Sequence, residues 1–201
     1  MILLISGPSG AGKSTVYHEL MRREPRLAFS VSVTTRPPRR GEQDGVDYHF
    51  VDDAEFDRLL AAGAFLEWAH VHDRRYGTRR ADLERMEREG TIPLLDVDVQ
   101  GGVQVLDRCG PEVASVFLWP PSWDVLETRL RGRGTDDDEV IARRLANARW
   151  EVDYADRYAY WVVNDEVDRA VAALQEILAG RGDAHRREAV RRPLAGGQGE
   201  P

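Results

Sequence analysis

The sequence predicts an α/β fold, a parallel sheet core flanked by helices, on three observations. Short apolar runs alternate with helical stretches, the pattern of strands joined by crossover helices and buried on both faces. The first run, Met1-Ile2-Leu3-Leu4-Ile5, leads into Gly7-Pro8-Ser9-Gly10-Ala11-Gly12-Lys13-Ser14-Thr15, which fits G-x-x-x-x-G-K-[ST]. A helix-like segment, Thr15 to Met21, follows at once. Strand, glycine loop and helix therefore stand in the order of a P-loop NTPase.

The remaining elements follow in chain order. Leu27 to Val33 alternates well enough for one strand, stopped by Thr34-Thr35-Arg36-Pro37-Pro38-Arg39-Arg40-Gly41. Tyr48 to Val51 reads as a short strand, Asp53 to Leu60 as a helix capped by Asp52 or Asp53, and Phe65 to Val71 as a strand. About residues 32 to 80 are thus strand-rich and read as an insertion into the βαβ series. Arg80 to Glu89 is a helix ended by Gly90, and Ile92 to Asp98 an apolar strand finishing in two aspartates. Val99 to Arg108 is a helix, Val113 to Trp119 a buried strand stopped by Pro120-Pro121, and Ser122 the cap of a helix over Trp123 to Leu130. Gly132-Arg133-Gly134 breaks the pattern before an arginine-bearing helix from Glu139 to Asp153. Tyr158 to Val163 is the last strand. Val167, Val171, Leu174 and Leu178 space one apolar face of the last helix. Residues 181–201, poor in large apolar side chains, read as a disordered tail.

Composition narrows the class. A chain of 201 residues, 42% apolar and 31% charged, suits one compact domain with mobile subregions. No apolar stretch approaches the roughly 18 residues of a membrane span, and no basic leader precedes the first strand. The single cysteine, Cys109, fits a reducing cytoplasm and has no activating neighbour in sequence. A net charge of −7 argues against a nucleic-acid surface. The arginines nevertheless cluster at 36–40, 74–80 and 129–144, as recognition of a small polyanion requires.

A phosphate chain needs converging backbone N–H groups, which glycines permit, and the partial positive end of a helix. Lys13 would reach the terminal phosphates and the Ser14 hydroxyl would coordinate magnesium. The apolar strand ending Leu94-Leu95-Asp96-Val97-Asp98 supplies a carboxylate for the metal. Period-two spacing puts Asp96 and Asp98 on one side of that strand, Asp96 toward the metal and Asp98 further out toward a second substrate.

One set of motifs is more specific. Thr34-Thr35-Arg36-Pro37-Pro38-Arg39-Arg40-Gly41-Glu42, Gly45-Val46-Asp47-Tyr48, Phe65-Leu66-Glu67-Trp68 and Tyr76-Gly77-Thr78 occur in order. Asp96-Val97-Asp98-Val99-Gln100-Gly101, Ile141-Ala142-Arg143-Arg144-Leu145 and Val162-Val163-Asn164-Asp165 follow. Over about residues 1 to 180 this series resembles the guanylate kinases. The resemblance implies an ATP:GMP phosphotransferase using Mg2+, with dGMP as a second acceptor, a GMP-binding insertion at about 32–80 and a lid at about 129–153. It implies that Arg36, Arg39, Tyr48 and Tyr76 hold the acceptor phosphate and that Ser32, Glu67, Thr78 and Asp98 read guanine. A carboxylate at Glu67 can accept from N1–H and N2–H2 together, and the Thr78 hydroxyl can donate to O6.

On the donor side the resemblance implies ATP contacts from Arg129, Arg133 and Asn164. Lys13, Arg133 and Arg144 are then the catalytic charges, Arg144 also facing the GMP phosphate. Gly101-Gly102 and Arg79 depart from the usual family pattern near the acceptor side. A non-catalytic relative tends to lose the loop lysine, and a sugar-phosphate kinase would have no use for Glu67 and Thr78 as a base-reading pair.

Overall fold

The computed structural model describes residues 1–71, 73–132 and 137–194. In chain order the elements begin β1 (Ile2–Ser6), α1 (Lys13–Arg23), β2 (Leu27–Phe29), β3 (Val33–Thr34), β4 (His49–Phe50) and α2 (Asp53–Ala61). There follow β5 (Phe65–Val71), β6 (Arg74–Arg79), α3 (Arg80–Arg88), β7 (Ile92–Asp96) and α4 (Val99–Cys109). The chain closes with β8 (Val113–Trp119), α5 (Trp123–Arg131), α6 (Asp138–Glu151), β9 (Tyr160–Val163) and α7 (Val167–Leu178). Among the described residues no helix is long and apolar enough to cross a membrane.

Two compact units divide the chain, one of Met1–Ile2 with Arg26–Val113 and one of Leu3–Pro25 with Ala114–Pro201. In the first, β2 and β7 pair in parallel from Leu27↔Ile92 to Phe29↔Leu94. A second, mixed sheet has the order β4-β3-β6-β5, with β5 and β6 antiparallel. Its apolar face packs on α2 through Val33, Phe56 and Phe65, the two phenyl rings stacked at 4.6 Å. Asp52 caps α2 by accepting from Glu55 N at 2.7 Å, which resolves the choice of cap.

The single strand expected over Leu27 to Val33 is two. After Phe29, Ser30 N–H still donates to Leu94 O at 2.9 Å, and the chain then leaves that sheet for the mixed one at Val33. Alternation cannot register this change, because both strands keep period two. The last strand expected before α4 is also shorter than predicted. β7 stops at Asp96, and Asp98 is the cap of α4, its Oδ1 accepting from Gly101 N at 2.8 Å. The shared strand face proposed for Asp96 and Asp98 is therefore corrected: an aspartate three residues before an unpaired helix amide finds a better partner there.

In the second unit, β1, β8 and β9 lie in that order, β8 and β9 parallel from Val116↔Tyr160 to Trp119↔Val163. Leu3, Leu4, Ile5, Phe117, Leu118 and Trp119 are fully buried, which explains the unbroken apolar runs. Helix α6 packs on α5 through Leu126, Leu130, Ile141 and Ala148.

The predicted disordered tail is corrected for residues 181–194. Gly182–His185 form a 3-10 turn, Tyr160 and Arg186 make an isolated bridge, and Arg187 N–H donates to Ala159 O at 3.1 Å. Arg186 lies over the Tyr160 ring at 4.7 Å and Arg192 donates to Val152 O at 3.1 Å. The segment docks through arginine stems, rings and carbonyls, a mode that a search for large apolar residues misses. The last seven residues of the sequence lie outside the described residues, as does Arg133.

Candidate functional site

The phosphate loop belongs to the second unit. It leaves β1 at Gly7, whose φ is 150° and where a Cβ would lie 2.4 Å from Leu118 O. Gly12 caps α1 in the left-handed region at φ 88°, and a Cβ there would lie 2.4 Å from Asn164 Nδ2. Neither position has room for a side chain, so the motif's glycines are set by close approach as well as by turning. Lys13 Nζ donates to Gly7 O at 2.7 Å, which lays the ammonium back over the loop. Ser9 N–H donates to Glu151 Oε2 at 3.3 Å, so an anionic oxygen already lies against a loop amide. Ser14 and Thr15 are exposed in the first turn of α1.

Arg129 and Asn164 converge on the loop from below. Arg129 donates to Ala11 O at 3.3 Å and to Asn164 O at 2.9 Å, and Asn164 Nδ2 donates to Ala11 O at 2.8 Å. Asn164 is buried, with no partner for its Oδ1 among the described residues. Both residues thus brace the loop backbone, a duty beyond the ATP contacts that the resemblance implies for them. Arg144 is half-buried on α6.

Apart from Arg144 on α6, the residues implied for the acceptor belong to the first unit. On the phosphate side, Arg36 makes a two-pronged pair with Glu42 at 2.8 and 3.0 Å, and the same carboxylate accepts from Arg39 N at 2.7 Å. Arg36 lies 5.3 Å from the Tyr48 ring, which meets Tyr76 edge-on at 5.9 Å. The Glu42 carboxylate holds the guanidinium's proton more tightly still, and Tyr76 adds to this. Burial pushes the Tyr48 hydroxyl up, helped by Tyr76 and Asp96. A guanidinium carries five donors, so Glu42 does not exhaust Arg36. Arg39 is exposed, and Ser32 is half-buried with its carbonyl accepting from His49 N at 2.9 Å.

Where the resemblance implies that guanine is read, Glu67 on β5 and Thr78 on β6 are cross-strand partners, 3% and 1% exposed. Thr78 Oγ1 donates to Glu67 Oε1 at 2.7 Å. Burial pushes the Glu67 carboxyl up to about 7, the Thr78 bond opposes this, and the Asp98 charge adds to it. The Thr78 hydroxyl, for which the resemblance implies a donation to guanine O6, points its single proton at Glu67 here. Thr78 orients the carboxylate and keeps lone pairs with which to accept.

Three roles escaped the sequence reading. Glu42 is the internal counter-ion of Arg36 and an acceptor for the Arg39 backbone amide, and the only signal for it was the acidic residue at the end of the T-T-R-x-P-R-x-G-E stretch. Arg75, from the 74–80 arginine cluster read as suited to a small polyanion, instead pairs with Asp53 and Asp57 of α2 and lies 4.6 Å from the Phe56 ring. Arg79 pairs with Asp82 at 2.7 Å and meets His49 Nε2 at 2.7 Å. Among the described residues no group of three or more His, Cys, Asp or Glu is arranged to hold a metal alone.

A glycine phosphate loop on a helix-flanked parallel sheet, together with a buried carboxylate–hydroxyl pair and oriented arginines, defines a P-loop kinase of small phosphorylated molecules. The guanylate kinase family model matches residues 1–181, and the chain belongs to the guanylate kinase family, a family of nucleoside monophosphate kinases. It is 47% identical over 178 residues to a guanylate kinase of Zymomonas mobilis, covering 89% of this chain and 82% of that protein. With a guanylate kinase of Thermobifida fusca it shares 49% identity over 178 residues, 89% of this chain and 90% of the relative. The crystal structure of guanylate kinase from Anaplasma phagocytophilum matches with a TM-score of 0.73 and 31% identity, covering 95% of this chain and 96% of that one.

Proposed function

We propose that this chain transfers the γ-phosphoryl group of ATP to GMP, giving ADP and GDP, and accepts dGMP in the same way. The observation that carries the choice of acceptor is the buried Glu67–Thr78 pair. A carboxylate locked by a hydroxyl at 3% exposure has no structural need of its charge, and its cost is offset by a ligand that donates two hydrogen bonds to it. The N1–H and N2–H2 edge of guanine is such a ligand, and adenine, which presents a lone pair at N1, is not.

In this reading a phosphate oxygen of GMP attacks the γ-phosphorus as the bond to the β–γ bridging oxygen breaks, and that oxygen leaves on ADP. Arg36, oriented by Glu42, and Arg39, with Tyr48 and Tyr76, hold the acceptor phosphate through bidentate and hydroxyl bonds. Ser32 and Asp98 complete the base site beside Glu67. Lys13 and Arg144 offset charge on the equatorial oxygens, as would Arg133, and Arg129 with Asn164 keeps the loop in shape for ATP. Positioning and electrostatics suffice, so no general base is assigned.

The Ser14 hydroxyl and the Asp96 carboxylate are hard oxygen donors of the type magnesium takes, one or two protein ligands with the rest water and phosphate. Bound there, Mg2+ would neutralise phosphate charge. An acidic chain with one cysteine also suits work in the cytoplasm on small molecules, without nucleic acid or membrane as partner.

An acceptor panel tests the reading. ADP release should be fast with GMP and dGMP and slower by roughly 10⁴-fold with AMP, as for sites that reject a ligand leaving their polar groups unpaired. Equal rates with AMP, CMP, UMP or a ribose phosphate would remove guanine from the proposal.

A further inference from the structure

We propose that Gly101, on α4, is a specificity-determining positioning residue: the bare backbone at this point leaves the space in which the Glu67 carboxylate stands to meet guanine. The inference rests on the assignment of Glu67 to the base.

Three features of the position lead there. Gly101 lies inside a helix, where glycine is less favourable than alanine, and its backbone is not in the left-handed region, so no turn requires it. Space does require it. A Cβ built on Gly101 would lie 2.4 Å from Glu67 Oε2 and 3.2 Å from Asp98 Oδ1, well inside van der Waals contact.

Nor can the carboxylate step aside. Its other oxygen is held by Thr78 at 2.7 Å, and the side chain is 3% exposed. The strand that carries it is fixed from the same helix. Gln104 Nε2 donates to Trp68 O at 2.7 Å, and Arg108 donates to Leu66 O, so the residues on either side of Glu67 are tied to α4. Asp98, Gly101, Gln104 and Arg108 recur every three or four residues and share one helix face. That face caps the helix, clears room for the carboxylate and clamps its strand.

A double-mutant cycle tests this with Gly101→Ala, Glu67→Ala and the pair, reading kcat/KM for GMP and AMP, KM for ATP and the unfolding midpoint of each. Gly101→Ala should lower GMP use by about 10- to 100-fold, the loss that follows when a buried polar group is misplaced, and narrow the preference over AMP. KM for ATP should stay within about twofold, and the loss should fall on KM for GMP more than on kcat. Since alanine favours the helix, a loss of this kind cannot come from helix propensity.

In the pair, the methyl has room where the carboxylate stood. The double variant should therefore match Glu67→Ala in GMP use, and its midpoint should recover relative to Gly101→Ala. Additive losses, or a Gly101→Ala variant with wild-type GMP preference, would overturn the proposal while leaving the base assignment standing. If Glu67→Ala itself keeps the preference for GMP, the base assignment fails and the selective role of Gly101 fails with it. The midpoints would then still report whether the two side chains compete for one space.

Discussion

In the proposed function the two units recognise phosphate-bearing ligands by different means. In the phosphate loop the work falls to backbone: Gly7 and Gly12 leave no room for a Cβ, Ser9 offers an amide, and one side chain, Lys13, adds charge. On the acceptor side the work falls to side chains drawn from segments spread over residues 32 to 101, each held by an internal partner. Arg36 leans on Glu42, Glu67 on Thr78, and Asp98 on the amide of Gly101. Backbone recognition is generic for phosphates, whereas buried side-chain pairs discriminate, because a wrong ligand leaves them unsatisfied.

The largest break should come on the loop side. Lys13→Ala removes a preorganised charge and should lower kcat by about 10²-fold or more, while GMP binding, assigned mainly to residues of the first unit, stays near wild type by titration calorimetry. A parallel loss of GMP affinity would mean that the two sets of residues do not divide the labour in this way.

The next effect sharpens the acceptor side, where Glu67 should cost stability. An unfolded glutamate ionises near 4.5 and the buried one near 7. Between those values the folded chain holds a proton that the unfolded chain has lost, so stability falls as pH rises through that window and stays lower above it. The difference is on the order of 3 kcal/mol. Glu67→Gln should therefore raise the unfolding midpoint by about 6–12 °C at pH 8 and by little at pH 5, where wild type also carries the proton. A midpoint unchanged at pH 8 would show that the carboxylate is not paying the expected desolvation cost.

Glu42→Ala separates the phosphate end of the acceptor site from its base end. Losing the counter-ion of Arg36 and the acceptor of the Arg39 amide should raise KM for GMP by about 10-fold or more, with the GMP:AMP ratio unchanged because the phosphate is common to both. A changed ratio would mean that the two ends are not independent.

How much of this was legible in the sequence follows from the same contrast. The loop was readable because its residues are contiguous and each answers a backbone requirement. The acceptor assignments come only through a resemblance spanning several motifs, since no local rule brings residue 67 beside 78 and 101. What stayed hidden were the pairings. Whether Asp98 ends a strand or caps a helix depends on where β7 stops, and whether Arg75 meets phosphate or α2 depends on a fold that alternation does not describe. The change of sheet at Ser30 was invisible for the same reason, both strands keeping period two.

The smallest effect concerns the segment after α7, which belongs to the second unit. Deleting residues 186–201 removes the Arg186–Tyr160 contact and the Arg187 and Arg192 bonds to backbone carbonyls. Calorimetry should show a midpoint lower by about 2–4 °C, near 1 kcal/mol for a chain of this size, with the GMP:AMP ratio untouched. An unchanged midpoint would mean that these contacts stabilise nothing.

The central claim, that a buried carboxylate chooses the acceptor, is tested most directly by the ratio of kcat/KM for GMP to that for AMP in wild type and in Glu67→Gln. The amide keeps the size of the side chain and its bond from Thr78 but accepts from guanine with one oxygen and no charge. The account predicts a ratio of roughly 10⁴ in wild type, falling by at least about 10-fold in the variant through loss of GMP use, with KM for ATP unchanged. An equal ratio in the two proteins would contradict it.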